Sequence, residues 1–492
     1  MRLLFRLIKL KLLSPASIYL FYRAKKVHGH NICSLLHYAS NKYGNDIALT
    51  DGTTKISFSE MYRQVLVLSI IINKKLGALP STAILVCSNN IRDVLVHYAI
   101  QNLGIKIILV YHKTHISEIK KIRDRLPDGT HIFSSCSDLA AFANSISIED
   151  LFNDISVHQT EKIISKKYTA LNFLTSGTTG EPKIIEKRKG VFYYMSAFAE
   201  LVFRTGVYKR KAVFISTPFS HSFGYSVLIF SLILGKKTVM TNRKEPDQIT
   251  RLLITEKVDM LTGVPTSLYQ LSESCKDLNH CINLVISSGA PMNNMILQHI
   301  ADRFGKNIFS LYGSTESSTS FVAGYNQLTK NCCALGKPLK GIKYRLGDEV
   351  GEGKELLINT PTANIFFSSW TPTGDIVKTD TQDHLVWCGR KNNMILKNGE
   401  NIHPPEIENA LLEIPFIEDA FVSGEKHPSK GEIIIAYIKL KHRRIVNETE
   451  LRSHLSSLLS PIKIPDKFVE SIGFEYTGTG KKIKPLIQVS PL

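Results

Sequence analysis

The chain has 492 residues, of which 43% are hydrophobic and 21% charged, and a formal net charge of +18. That length and balance describe a globular protein of two or three domains, with a core large enough to need no disulfide staples. None of the eight cysteines stands in a C-x-x-C pair, which excludes zinc and redox motifs of that spacing. Cys332-Cys333 reads as two ordinary thiols, and the expected compartment is the reducing cytoplasm.

The charge is uneven. Arg2, Arg6, Lys9, Lys11, Arg23, Lys25, Lys26 and Lys42 fall in the first 45 residues, with no acidic residue among them. A helix over 2–13 would set Arg2, Arg6 and Lys9 on one face and Lys11 near the opposite one, and Pro15 is expected to interrupt it. A second apolar stretch, Ile18 to Tyr22, runs into Arg23-Ala24-Lys25-Lys26. A transmembrane span needs about twenty consecutive apolar residues, which these charges forbid. Arg6 and Lys9 break the apolar core that a signal peptide requires. Two readings of residues 1–27 stay open: a basic amphipathic segment on an anionic membrane surface, making the protein peripheral on its inner face, or a helix packed on the protein's own body. No basic-plus-aromatic repeat or reader motif points to nucleic acid.

From residue 46 strands and helices alternate. Ile47–Thr50 and Ile56–Phe58 read as a hairpin turning at Asp51-Gly52, and Ser59 as the N-cap of a helix from Glu60 to about Leu76. Buried strands are expected at Ala83–Cys87, Ile107–Val110, Ala212–Ser216, Thr238–Met240, Met260–Thr262, Leu284–Ser287 and Ile308–Leu311. This is the rhythm of an α/β fold with doubly wound, mainly parallel sheets. After about residue 335 the pattern becomes a β-rich subdomain. Residues 389–492 read as a small α+β unit, with strands Ala420–Val422 and Glu432–Lys439 and a helix Glu448–Leu459. The expected domains are a basic arm over 1–30, a large domain over 31–388 and a small C-terminal domain over 389–492.

The most informative segment is Leu174-Thr175-Ser176-Gly177-Thr178-Thr179-Gly180-Glu181-Pro182-Lys183. Its glycines let backbone N–H groups approach phosphate oxygens, its hydroxyls donate further hydrogen bonds, and its lysine brings charge. It differs from the P-loop of nucleotide hydrolases, because the lysine follows Glu181-Pro182 and no Ser or Thr comes next. On composition alone a flexible linker is the alternative.

Four further segments follow in order: Tyr312-Gly313-Ser314-Thr315-Glu316; Thr373-Gly374-Asp375; Gly389-Arg390 through Ile402 with Pro404, Glu406, Ile407 and Glu408; and Gly480-Lys481 with Lys484. Ser288-Gly289-Ala290-Pro291 and Gly336-Lys337-Pro338 are weaker. Over residues 45–487 the set resembles the signatures of the adenylate-forming superfamily of acyl- and aryl-CoA synthetases, peptide-synthetase adenylation domains and luciferases.

The resemblance implies that ATP and a small-molecule carboxylic acid give an acyl-adenylate and pyrophosphate, after which a thiol displaces AMP. It implies that Thr175, Ser176, Gly177, Thr178, Thr179, Gly180 and Lys183 hold the phosphates, that Glu316 holds Mg²⁺, and that Thr315 donates to a phosphate. Asp375 would accept from the ribose hydroxyls with Arg390 assisting. Tyr312 and Gly313 would lie against the adenine, with Gly289, Ala290 and Pro291 as the opposite wall. Lys481 would reach the reacting carboxylate. A mobile C-terminal domain pivoting at Asn392 would then exchange Lys481 for the loop at Gly399, leaving room for the thiol. Asn392, Leu396 and Lys484 depart from the commoner family residues, which puts more doubt on the thiol step than on adenylation.

Thr217-Pro218-Phe219-Ser220-His221-Ser222-Phe223-Gly224 is similar to the P-x-x-H-x-x-G segment of fatty- and aryl-acid CoA ligases. No acid lies between Ala212 and Leu234 to pair with an α-ammonium, so an amino-acid substrate is disfavoured. His221 is either a site residue or a packed histidine. With the apolar basic arm, the expectation is a fatty acid, transferred to coenzyme A. An aryl-acid–CoA ligase and an acyl-carrier-protein ligase are the alternatives. A non-catalytic nucleotide-binding relative or membrane scaffold is disfavoured by the retention of Glu316, Asp375 and Lys481.

Overall fold

The computed structural model describes residues 8–10, 12–139, 142–153, 163–176, 182–187, 194–243, 245–275, 278, 281–315, 317–360, 370–381, 383–427, 430–441, 447–476 and 482–483. Most of the helix expected over 2–13 lies outside the described residues; residues 12–14 bend, and Pro15 opens a new helix. It sits at the first turn of Pro15–His28, where its missing N–H is no loss, and Ser14 caps the turn. This helix packs on the next, Cys33–Tyr43. The hairpin forms as Ile47–Thr50 with Lys55–Ser57. The following helix begins at Phe58, not Glu60, because Ser57 is extended and its hydroxyl accepts from Glu60 N at 3.1 Å.

Two sheets carry the large region. One has nine strands, in spatial order Lys337–Pro338, Ser318–Gly324, Ile308–Ser314, Val285–Ser288, Met260–Gly263, Ala212–Ile215, Lys237–Val239, Ile47–Thr50 and Lys55–Ser57. Its interior pairings, from Ile308–Ser314 to Ile47–Thr50, are parallel, and those beyond are antiparallel. The other has six strands: Ser145–Ser147, His131–Ser134, Thr82–Cys87, Lys106–Tyr111, Leu171–Ser176 and Pro182–Lys187. Only its last pair is antiparallel. Helix Ile91–Asn102 is buried at every position but Arg92, and one apolar core joins it to strands of both sheets, through Leu85, Leu109, Val213 and Ile286. Crossover helices and parallel strands that read as continuous apolar runs are what a sheet covered on both faces demands.

Beyond the large sheets, Lys343–Val350, Gly353–Asn359, Thr371–Thr379 and Leu385–Arg390 form an antiparallel sheet of four strands. A last sheet joins Ile395–Lys397, Glu400–Ile402, Ile417–His427, Gly431–Leu440 and Lys467–Glu470. It has its own core, which includes Ile407, Leu411, Ile434, Leu451 and Phe468. Lys463 ties this unit to the preceding sheet, with Nζ 2.7 Å from Glu352 in the turn before Gly353–Asn359, while Glu406 of its own unit lies 2.9 Å from the same Nζ.

Candidate functional site

Parallel strands present their carboxyl ends to one side, and there the loops converge. Val285–Ser288 delivers Gly289, Ala290 and Pro291, and Ile308–Ser314 delivers Tyr312 and Gly313. All five residues line a cavity of about 1020 Å³, which is also lined by Asn392, Phe421, Phe474 and Lys482. Gly313 is required by close approach: a Cβ there would lie 2.1 Å from Ser318 O.

At the edge of this cavity Asp375 is only 2% exposed. Its Oδ2 accepts from the Tyr312 hydroxyl at 2.6 Å, and its Oδ1 accepts from Trp387 Nε1 at 3.0 Å. Arg390 Nε lies 2.8 Å from the same Oδ1. Register explains the pairing, since Asp375 and Arg390 are opposed on neighbouring strands. Thr373 fixes the approach: its hydroxyl donates to Leu356 O at 2.8 Å and accepts from Asp375 N at 3.1 Å. These donors satisfy the oxygens of a buried carboxylate, which would otherwise be costly to bury. Burial, with Asp375 beside it, pushes the Tyr312 phenol well above its ordinary value, so it remains a donor.

The structure thus brings Tyr312, Asp375 and Arg390 together, as the motifs predict. It adds Trp387, which sequence reasoning missed. Its signal was its place three residues before Arg390 on one strand, as one of only two tryptophans.

A second cluster lies at the start of helix Ser222–Leu234. His221 is its N-cap residue, and its Nε2 is buried with no hydrogen-bond partner among the described residues. Burial lowers its pKa to about 4, so the imidazole is neutral. Its ring centroid is 5.6 Å from that of Tyr111. Thr315 Oγ1 lies 3.5 Å from Ser222 Oγ, which sets the Tyr312–Thr315 segment beside this helix end. Asn89, also missed, shapes the loop before His221: its Nδ2 donates to Ile215 O and Thr217 O, and its Oδ1 accepts from Phe219 N at 3.0 Å. The signal was Ser88-Asn89-Asn90 directly after a buried strand. A Cβ at Gly224 would meet Pro218 O at 2.4 Å, so the loop can fold over the helix only there.

Beside this helix is a small apolar cavity of about 40 Å³, lined by residues that include Phe223, Val227, Phe230, Met260 and Leu311. The expected phosphate segment is partly described. Thr175 and Ser176 end one strand and stand opposite Lys183 and Pro182 of the next. Gly177, Thr178, Thr179, Gly180, Glu316 and Lys481 lie outside the described residues. Gly399 does not line the cavity. With φ +83, it and Asn398 make the exposed turn between Ile395–Lys397 and Glu400–Ile402. Asn392 does line the cavity, within the short helical turn Lys391–Asn393.

These residues suit a nucleoside: a buried, multiply held carboxylate at the rim of a roomy cavity at the carboxyl ends of parallel strands. Comparison with known proteins agrees. The family described as AMP-binding enzyme matches residues 36–362, and its C-terminal domain matches residues 406–481. The 2-succinylbenzoate–CoA ligase of Bacillus subtilis is 26% identical over 79% of this chain and 83% of its own. That of Bacillus velezensis is 28% identical over 66% of this chain and 70% of its own. The fold is that of o-succinylbenzoate CoA synthetase from Bacillus subtilis in complex with its acyl-adenylate intermediate, with a TM-score of 0.79, 23% identity and coverage of 91% of this chain and 96% of that one. This chain belongs to the AMP-binding enzyme family and is an adenylate-forming acid–thiol ligase.

Proposed function

We propose that the enzyme is an aryl-acid–CoA ligase, and that an acid of the shape of 2-succinylbenzoate is its substrate. The observation that carries this reading is the set of relatives, similar over most of both chains, that bear that activity in their names. The fatty acid expected from the basic arm has less support.

ATP, Mg²⁺ and coenzyme A serve the reaction. Bound Mg²⁺ supplies charge against the phosphates, and Glu316 would hold it. Asp375 orients the nucleoside by accepting from its ribose hydroxyls, and its partners Tyr312, Trp387 and Arg390 keep it aimed. Gly289 to Pro291 and Tyr312 wall the base. The segment from Thr175 to Lys183 donates to the phosphates, and Thr315 adds a hydroxyl. Lys481 stabilises charge as the acid's oxygen attacks the α-phosphorus and pyrophosphate leaves. His221 is neutral, its Nε2 has no partner among the described residues, and it would border the reacting acid. For the second half, the unit beginning at residue 389 turns about Asn392 and carries Gly399 toward the site. There the sulfur attacks the acyl carbon and AMP departs.

The test is kcat/KM for coenzyme A thioester formation with 2-succinylbenzoate, benzoate, octanoate and palmitate at saturating ATP. The reading expects 2-succinylbenzoate to lead by at least tenfold. A lead for octanoate or palmitate would return the enzyme to the fatty-acid alternative.

A further inference from the structure

The helix Pro15–His28 is anchored by one face and open on the other. Ser17, Ala24 and His28 are buried, and Phe21, Leu10 and Leu12 pack against the main core. His28 fastens the end of the helix, with Nε2 2.9 Å from the Tyr62 hydroxyl and its ring edge-on to His37 at 5.3 Å. The opposite face carries Ile18, Tyr19 and Tyr22, which are 52%, 60% and 65% exposed. Arg23 and Lys26 are exposed beside them. At about 100° per residue these five positions span an arc of about 140°, centred away from Ser17, Ala24 and His28. The Arg23 guanidinium lies 5.8 Å from the Tyr19 ring centroid, so a cation travels with the aromatic.

Single exposed apolar side chains need no explanation, but three on adjoining turns of a docked helix make a patch. Its charge narrows the occupant, because the first 45 residues contain no acid. A second copy of the same face would set Arg23 and Lys26 against their like, which is repulsive. An anionic bilayer matches every part. Tyrosines favour the headgroup level, isoleucine the acyl boundary, and Arg and Lys the lipid phosphates.

We infer that the outer face of Pro15–His28, made of Ile18, Tyr19, Tyr22, Arg23 and Lys26, seats the enzyme on an anionic lipid bilayer. The helix lies in the plane of the interface. No helix among the described residues is long and apolar enough to cross a membrane, so this seat is peripheral. None of the five residues lines the nucleotide cavity, so docking and chemistry are separable.

The experiment is co-sedimentation of the full chain with vesicles of phosphatidylglycerol and phosphatidylcholine, and with phosphatidylcholine alone. Binding is expected only with phosphatidylglycerol and should fade with salt, as the screening length shrinks from about 10 Å at 0.1 M to about 3 Å at 1 M. Arg23→Gln with Lys26→Gln should lower partitioning roughly 30-fold, at about fivefold per cation. Ile18→Ser with Tyr19→Ser and Tyr22→Ser should lower it at least tenfold. Both variants should keep wild-type thioester formation and unfolding midpoint, which separates lost docking from lost folding. Failure of the wild type to sediment with phosphatidylglycerol vesicles would overturn the inference, as would wild-type binding by both variants. Loss in one variant alone would overturn it too, since plain charge adhesion or plain apolar adhesion would then suffice.

Discussion

Asp375→Asn isolates the charge at the centre of the site while keeping the side chain's shape. In the wild type one buried carboxylate accepts from Tyr312, Trp387 and Arg390. Asparagine keeps one acceptor oxygen and turns the other position into a donor, so either Tyr312 or the Trp387–Arg390 pair faces a donor. Breaking a fully buried ion pair costs about 3–5 kcal/mol. The Arg390 side chain is 36% exposed and can recruit water, so about 1–2 kcal/mol of lost stability is the discounted figure. ATP binding loses more. Two ribose hydroxyls that donate to a carboxylate at about 1.5–3 kcal/mol each would meet a neutral amide at about 0.5–1.5 kcal/mol each. The difference, about 2–3 kcal/mol, is roughly a 30- to 150-fold rise in KM for ATP. The assay is pyrophosphate release against ATP concentration, with chemical denaturation on the same preparation. A KM within twofold of wild type in a folded variant would refute the assignment of Asp375 to the nucleoside.

Glu316→Gln should raise the Mg²⁺ needed for half-maximal pyrophosphate release and slow adenylation; an unchanged Mg²⁺ titration removes Glu316 from the metal. Lys481→Ala should slow adenylate formation by roughly 10²–10³, the loss typical of one charge-stabilising group, and spare thiol transfer from preformed acyl-adenylate. Single-turnover kinetics that slow both halves equally would make this lysine structural. Stability should fall between pH 7 and pH 5. Burial holds His97 at about 3 and His221 at about 4, below the ordinary 6.5, so the unfolded chain binds protons first. Each histidine then removes about 2 kcal/mol by pH 5. Burial raises Asp93 from 3.8 to about 6, so the folded protein binds that proton first and regains about 1 kcal/mol. These three groups together remove about 3 kcal/mol, and His28, which burial also holds at about 4, adds to the loss; denaturant midpoints that match at the two pH values contradict it.

The strands named from sequence were legible because each is a short apolar run closed by polar turns; their ends move by a residue or two, except that Ile308–Ser314 runs three residues further and the C-terminal strand Ile417–His427 is longer still, while His131–Ser134 and Ser145–Ser147 were not named. One local reading failed: Ser59 has a capping residue type, but position decides, and Ser57, two residues earlier, has the extended backbone a cap needs. Motif order named Tyr312, Asp375 and Arg390. Local signals marked Trp387 and Asn89 but not their roles, which come from strand register and from a loop 126 residues away. The exposed face of Pro15–His28 was half legible, since charge was countable but the direction of each side chain depends on how the helix docks.

The central claim is acid-dependent adenylation followed by thiol transfer, and isotope exchange tests it most directly. Labelled pyrophosphate should enter ATP only when 2-succinylbenzoate and Mg²⁺ are present. Adding coenzyme A should then yield one AMP per thioester. Exchange without acid, or release of ADP and phosphate in place of AMP and pyrophosphate, would contradict the account.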